Sequence, residues 1–143
     1  MEMTDWLLAG EDEAEAIASI VTTEEHDFED WTHLSFPLIQ MELMALRAVL
    51  EEDDALATDA VVDEPLVLDE EAGHGVARVR DSFIQALARV KPGSVRGLVG
   101  RWTGRIDLEH HEVEVLQKLL GALADFARTA VARESPVLEL MTF

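Results

Sequence analysis

A chain of 143 residues, 48% of them apolar, is long enough for one hydrophobic core and too short for two, so one domain spanning residues 1–143 is expected. It contains no cysteine, which excludes disulfides, thiolate metal sites and thiol nucleophiles. No apolar run approaches the roughly 18 residues of a membrane-spanning helix, and acids stand where a secretory signal has Lys or Arg. The sequence therefore predicts a cytoplasmic protein with no membrane partner.

The charge is large and unevenly distributed along the chain. Thirty acidic and 11 basic residues give a net charge of −19. Residues 1–71 contain 22 acids and a single base, Arg47, whereas residues 72–143 contain 8 acids and 10 bases. Such a field repels nucleic-acid phosphates and attracts basic proteins at long range. The acids either solvate the surface or bind a basic partner, and nucleic acid is not an expected ligand.

Periodicity predicts the elements of the first half. Thr4–Ala9 reads as a short apolar strand, and residues 11–21 have the apolar spacing of a short amphipathic helix. Residues 22–37 lack periodicity but contain aromatic side chains, so we expect an ordered loop whose aromatic residues reach the core. A heavily buried helix is predicted over Pro37–Glu52, with Ser35 as its candidate N-cap.

The second half begins with a change of period. Two short runs rich in Val and Leu, separated by two glycines, predict a β-hairpin over Leu66–Val79. Asp81 is then placed to cap a helix that ends at residues 91–93. Ser94 begins a further helix, whose apolar residues again follow helical spacing.

The longest predicted helix is Asp107–Arg133, which has a wide apolar stripe and Asp107 as its candidate N-cap. After a break at Ser135 and Pro136, the alternating run of residues 137–143 predicts a closing strand. Together these elements predict a single α+β domain in which about five helices pack on a small mixed or antiparallel sheet.

The start of that long helix contains a cluster of acids and histidines. His110 and Glu114 are four residues apart and therefore share a helical face, so with His111 they form a candidate site for a divalent metal. A catalytic zinc usually has three protein ligands, and the sequence contains no HExxH. The alternative is that these residues only complement the helix dipole, with no metal and no cofactor.

Two other groups of residues are candidate binding sites. Arg101 and Arg105 are four residues apart beside Trp102, and a guanidinium pair next to an indole can hold a phosphate or a carboxylate. The alternative is that these arginines pair with acids of the chain itself.

Trp31 and His33 lie in the acidic aromatic loop, where a histidine among carboxylates can serve in acid–base chemistry or binding. The alternative there is a surface loop anchored by Trp31.

The order of these segments resembles a family of small bacterial proteins with no assigned activity. The resemblance spans roughly residues 31–143 and is carried by WTHLSFPLIQMELMALRAVLEE, then FIQALARVKPGSVRGLVGRWTG, then a long helix and an apolar strand. The matching positions are Trp31, Met41, Glu42, Leu43, Leu87, Ala88 and Trp102. After the last tryptophan this chain continues with TGR, where the family tends to have a TEE-like run. The resemblance implies a fold and no activity.

Three hypotheses for the function follow. The first is a non-enzymatic acidic protein that binds a basic protein partner, as immunity and inhibitor proteins do. It is motivated by the concentration of acids in the first half of the chain and by the lack of a coherent set of catalytic residues in the sequence. The second is a metal-dependent enzyme built on His110, His111 and Glu114. The third is a homo-oligomer in which the acidic half of one subunit meets the basic helix of another.

Overall fold

The computed structural model describes residues 4–21, 31–106, 108 and 111–142. In these residues one antiparallel sheet contains five strands: β1 (Thr4–Leu8), β2 (His33–Phe36), β3 (Val62–Asp69), β4 (His74–Val79) and β5 (Val137–Thr142). Five helices pack on it: α1 (Ala14–Val21), α2 (Gln40–Glu51), α3 (Asp81–Ala88), α4 (Val95–Arg105) and α5 (Val113–Ala132). The predicted α+β fold is therefore confirmed, and its sheet is antiparallel.

The closing strand lies at the centre of the sheet. The strand order is β2-β1-β5-β4-β3, so β5 pairs with β1 on one side and with β4 on the other. Leu138 lies opposite Leu7 of β1, and Leu140 lies opposite Val76 of β4. The first and last described strands are thus held together by backbone hydrogen bonds in the middle of the fold.

The two faces of the sheet carry layers of unequal size. On one face α1 packs over a small core that includes Leu7, Ile17 and Leu138. On the other face α2 to α5 cover the main core, where Trp6 of β1 is completely buried. The Trp6 ring lies edge-on to those of two phenylalanines, with centroid distances of 5.1 Å to Phe36 and 5.9 Å to Phe83. Both faces of the central strands are consequently hidden from water.

Arg47 of α2 connects three elements from a buried position. Its side chain is 7% exposed, and its Nε atom lies 2.6 Å from a carboxylate oxygen of Glu51. Its two terminal nitrogens donate to the carbonyl of Ala60 at 3.2 Å and to the hydroxyl of Ser82 at 3.1 Å, and one lies 3.4 Å from Asp59. The guanidinium therefore joins α2 to the segment before β3 and to the start of α3.

The predicted start of α2 is wrong. Ser35 is not its N-cap but part of β2, where its hydroxyl donates to the carboxylate of Asp5 in β1. The N-cap is Ile39, whose backbone N–H donates to the side chain of Glu42 at 2.9 Å. Strand β2 was also missed, because its four residues were assigned to the aromatic loop. Pairing with β1 over Thr4 to Leu7 is what makes this segment a strand.

The starts of α3 and α5 also differ from prediction. Asp81 is the first residue of α3 and Arg80 is its N-cap. Helix α5 begins at Val113 with Glu112 as its N-cap, so the predicted cap at Asp107 is wrong; Asp107 itself lies outside the described residues. None of the helices in the described ranges combines the length and hydropathy needed to cross a membrane.

Replacement of Arg47 tests how much this buried guanidinium contributes to stability. We expect Arg47→Ala to lower the free energy of unfolding by about 2–3 kcal/mol, because a largely buried side chain is removed and the carboxylate of Glu51 and the hydroxyl of Ser82 lose its guanidinium. Urea denaturation measures the difference. The control is Arg96→Ala, since Arg96 is exposed on α4 and forms no ion pair within the described ranges; it should change stability by less than about 0.5 kcal/mol. Equal denaturation midpoints for both variants would contradict a stabilising role of the Arg47 guanidinium.

Candidate functional site

Glu139 is a carboxyl group enclosed between the sheet and the helices. It lies in the middle of β5 and its side chain is completely buried. Its two oxygens accept hydrogen bonds from the indole nitrogen of Trp6 at 2.9 Å and from the amide nitrogen of Gln40 at 2.5 Å. Within the described residues it forms no ion pair with a basic side chain. It therefore links β5 to β1 and to the first turn of α2.

The environment of Glu139 makes its proton affinity unusual. Burial raises the pKa of this carboxyl to about 7, although the hydrogen bonds from Trp6 and Gln40 act in the opposite direction. Shifts of this kind are frequent at active sites, but they also arise from structural burial. Here both oxygens already have donors and the side chain has no exposed surface, so no substrate reaches it in this conformation. The geometry assigns Glu139 to the internal structure.

A second buried pair joins Glu42 to His111. The Nε2 atom of His111 lies 3.5 Å from a carboxylate oxygen of Glu42, and the two side chains are only 4% and 3% exposed. The backbone carbonyl of Glu42 accepts a hydrogen bond from the indole of Trp102 at 2.9 Å. Glu42 therefore connects the start of α2 to α4 and to the segment before α5.

The predicted metal ligands are only partly visible in the structure. His111 faces Glu42, Glu114 is exposed on the first turn of α5, and His110 lies outside the described residues. In the part of the chain that is described, no three side chains of His, Asp or Glu come together to hold a metal ion. The metal site built on His110, His111 and Glu114 remains a prediction.

Trp31 and His33 lie at the beginning of β2. The indole of Trp31 donates to a carboxylate oxygen of Glu13 at 2.6 Å and packs against the core beneath α1. This hydrogen bond, with a second one from the backbone of Gly10, lowers the pKa of Glu13. His33 is exposed, and its Nδ1 atom is 3.3 Å from the carbonyl oxygen of Trp31. Trp31 therefore ties the start of β2 to the turn before α1.

Arg101, Trp102 and Arg105 do not converge on one site. Trp102 is completely buried and its indole is bonded inside the core. Arg105 bonds to the carboxylate of Asp54, and a guanidinium nitrogen of Arg101 lies 3.8 Å from Glu52. Both arginines thus face acids from the first half of the chain, while the indole points into the core.

Ion pairs neutralise the acids unevenly. The arginines of the second half reach acids on the segment between α2 and β3, at the start of β3, and on the turn before α1; these pairs are Arg78–Glu11, Arg80–Asp59, Arg80–Asp63, Arg101–Glu52 and Arg105–Asp54. Ten exposed acids form no ion pair with any described residue. Five of them are distributed over other segments of the chain: Asp12, Asp53, Glu112, Glu114 and Glu134. The other five lie together at the hairpin of β3 and β4: Glu15, Glu64, Asp69, Glu70 and Glu71. The uncompensated charge is therefore densest at this place in the fold.

We call this place the acidic hairpin surface and define it by those five acids together with Leu66 and Leu68 of β3. Glu15 of α1 and Asp69 of β3 line one cleft of about 340 Å³, with the buried His74 at its base. Leu66 and Leu68 are 40% and 51% exposed on the edge strand of the sheet. The surface thus combines acidic groups with exposed apolar side chains.

Sequence reasoning missed the most distinctive carboxyl groups of the fold. Glu139 sits in an apolar run whose two neighbours are leucines, a position at which an acid is unusual, and this could have singled it out. Glu42 stands three residues after Ile39, the spacing of a capping box, but no local pattern connects it to His111. The concentration of unpaired acids at the hairpin depends on where the arginines fold, so the sequence gives no signal for it.

No protein-family model, curated protein or solved structure matches this chain. The function is therefore inferred from the geometry of its own residues.

The raised pKa of Glu139 predicts a specific pH dependence of stability. Its ordinary value is 4.5 and its value in the fold is about 7, so the native state binds more protons between these values and loses stability as the pH rises through this interval. Glu139→Gln stays uncharged, and Gln40 can turn its amide to accept from it. Relative to the parent protein, this variant should gain up to about 3 kcal/mol between pH 4 and pH 8.

Urea denaturation at several pH values measures this difference. Glu134→Gln is the matched control, because Glu134 is exposed and its replacement should leave the pH profile parallel to that of the parent. A constant difference between Glu139→Gln and the parent at all pH values would show that the pKa of the carboxyl is the same in the folded and unfolded states, which would contradict the raised value.

Proposed function

We propose that this is a non-enzymatic acidic protein that binds a basic partner protein through the acidic hairpin surface. The observation that carries the proposal is the uneven neutralisation of charge. Most acids at the end of α2 and before β3 have arginine partners, whereas the exposed acids Glu64, Asp69, Glu70 and Glu71, which lie together, have none within the described residues. Unscreened acids of one sign favour association with a positively charged surface and accelerate it at low salt.

The apolar side chains of the same surface provide apolar contact area for a partner, which the charged groups alone do not. Leu66 and Leu68 are exposed, and the side chains of Leu68 and Met141 lie next to Gly75, where an added Cβ would be 3.3 Å from Leu68 and 3.4 Å from Met141. Interfaces commonly have an apolar centre inside a polar rim. A partner with lysines or arginines around an apolar side chain would match this arrangement.

The edge of β3 favours docking through side chains over addition of a full strand. Pro65 lacks a backbone N–H, and the register with β4 shifts between Val62 and Pro65 and again between Pro65 and Val67. Such interruptions protect sheet edges from pairing with another chain. Recognition is therefore assigned to the carboxylates and leucines, not to the strand backbone.

Charge reversal at the turn tests the proposal. Glu70→Lys with Glu71→Lys should abolish retention of a basic protein that the parent protein captures from its native lysate at low salt. Both residues are exposed and carry no ion pair in the described part, so the fold should be unaffected. The measurement is an affinity pull-down at low and high salt with identification of the bound proteins by mass, since screening weakens charge-driven binding.

The matched control reverses two acids elsewhere, Glu114→Lys with Glu134→Lys, which changes the net charge equally at exposed positions. It should retain the partner. Equal loss in both double variants would indicate a response to net charge alone, and no retention at low salt by the parent would contradict the proposal. If the retained protein is a second copy of this chain, light scattering at low salt will detect an oligomer that the hairpin reversal dissociates.

A further inference from the structure

A second cleft, of about 580 Å³, lies between the ends of α2 and α3 and the first half of α4. Its apolar part includes Leu50, Val90 and Leu98, of which the last two are buried. Its polar part includes three basic side chains, Arg89, Lys91 and Arg101. The volume is within the range of roughly 300–1,000 Å³ that is typical of small-molecule sites.

The basic groups of this cleft stand out in a chain of net charge −19. Arg89 and Lys91 are exposed and form no ion pair with any described residue, although acids outnumber bases by 30 to 11. Arg101 is 56% exposed and only loosely paired, at 3.8 Å from Glu52. The one acid that lines the cleft, Glu51, is bonded to the buried Arg47 at 2.6 Å. The cleft therefore remains locally positive.

The segment that carries two of these cations is held in place. Arg128 of α5 donates to the backbone carbonyls of Ala88 and Val90, which flank Arg89 on either side. Arg128 is also paired with Asp125 on its own helix, at 2.6 Å. Fixing the backbone in this way reduces the entropy lost when the side chains close on a ligand.

We propose that this cleft binds a small phosphate monoester with an apolar body. Guanidinium groups hold phosphate oxygens in a fork of parallel hydrogen bonds, and an ammonium adds a point charge. Three cations match the charge of nearly −2 that a phosphate monoester carries at neutral pH, which exceeds what a single carboxylate needs. The apolar side chains Leu50, Val90 and Leu98 would contact the body of the ligand. This site is separate from the acidic hairpin surface.

Isothermal titration calorimetry with phenyl phosphate and with inorganic phosphate tests this, at an ionic strength held constant with chloride. Phenyl phosphate should bind, and should bind more tightly than inorganic phosphate because of its ring. Arg89→Gln with Lys91→Gln should weaken its affinity by about tenfold or more, because two of the three cations that would contact the phosphate are lost. The control, Lys118→Gln with Arg133→Gln, removes the same two charge types outside the cleft and should bind as the parent does.

Circular dichroism of both double variants verifies that each is folded before titration. The proposal is overturned if phenyl phosphate gives no binding heat with the parent protein, or if the cleft variant and the control bind it equally. Inorganic phosphate binding as tightly as phenyl phosphate would overturn the assignment of an ester ligand. The hairpin variant Glu70→Lys with Glu71→Lys should bind phenyl phosphate at least as tightly as the parent, which separates this test from that of the proposed function.

Discussion

Ion pairs between the two halves of the chain decide where its negative charge remains. Arg47 joins α2 to the segment before β3 from inside the fold, and later arginines such as Arg101 and Arg105 reach acids around the same region from α4. In the hairpin of β3 and β4 only Asp63 has an arginine nearby, at 4.0 Å from Arg80, whereas Glu64, Asp69, Glu70 and Glu71 have no ion-pair partner among the described residues. These four acids repel one another and attract cations. The negative charge of the first half of the chain is thus largely compensated after α2 and remains densest at the hairpin.

The position of β5 imposes a second constraint, which acts inside the core. Because β5 pairs with both β1 and β4 and helices cover both faces, every side chain in its middle must be buried. Glu139 meets this requirement by accepting hydrogen bonds from Trp6 and Gln40, at the cost of a raised pKa. The stability of the central sheet is consequently linked to pH near neutrality, independently of any partner.

Local patterns predicted most of the elements, and non-local contacts explain what they missed. The apolar stripe of α5 and the two Val-rich runs of the hairpin are visible in the sequence, because helical and strand periodicities are properties of single segments. Strand β2 has only four residues and exists through its pairing with β1. Neighbouring helical residues point in different directions, so Trp102 enters the core while Arg101 stays outside. The contact of His111 with Glu42 joins residues far apart in the chain, which spacing cannot reveal.

Uncompensated charge is densest at the acidic hairpin surface, so a basic ligand is expected to associate there first. Amide chemical shifts of the isotope-labelled protein, recorded during titration with a short oligolysine peptide at low salt, test this directly. We predict shift changes concentrated in residues 62–76 and α1, which disappear at high salt because the charges are then screened. Changes of equal size at Glu52 and Asp54, the partners of Arg101 and Arg105, would contradict this concentration of charge at the hairpin.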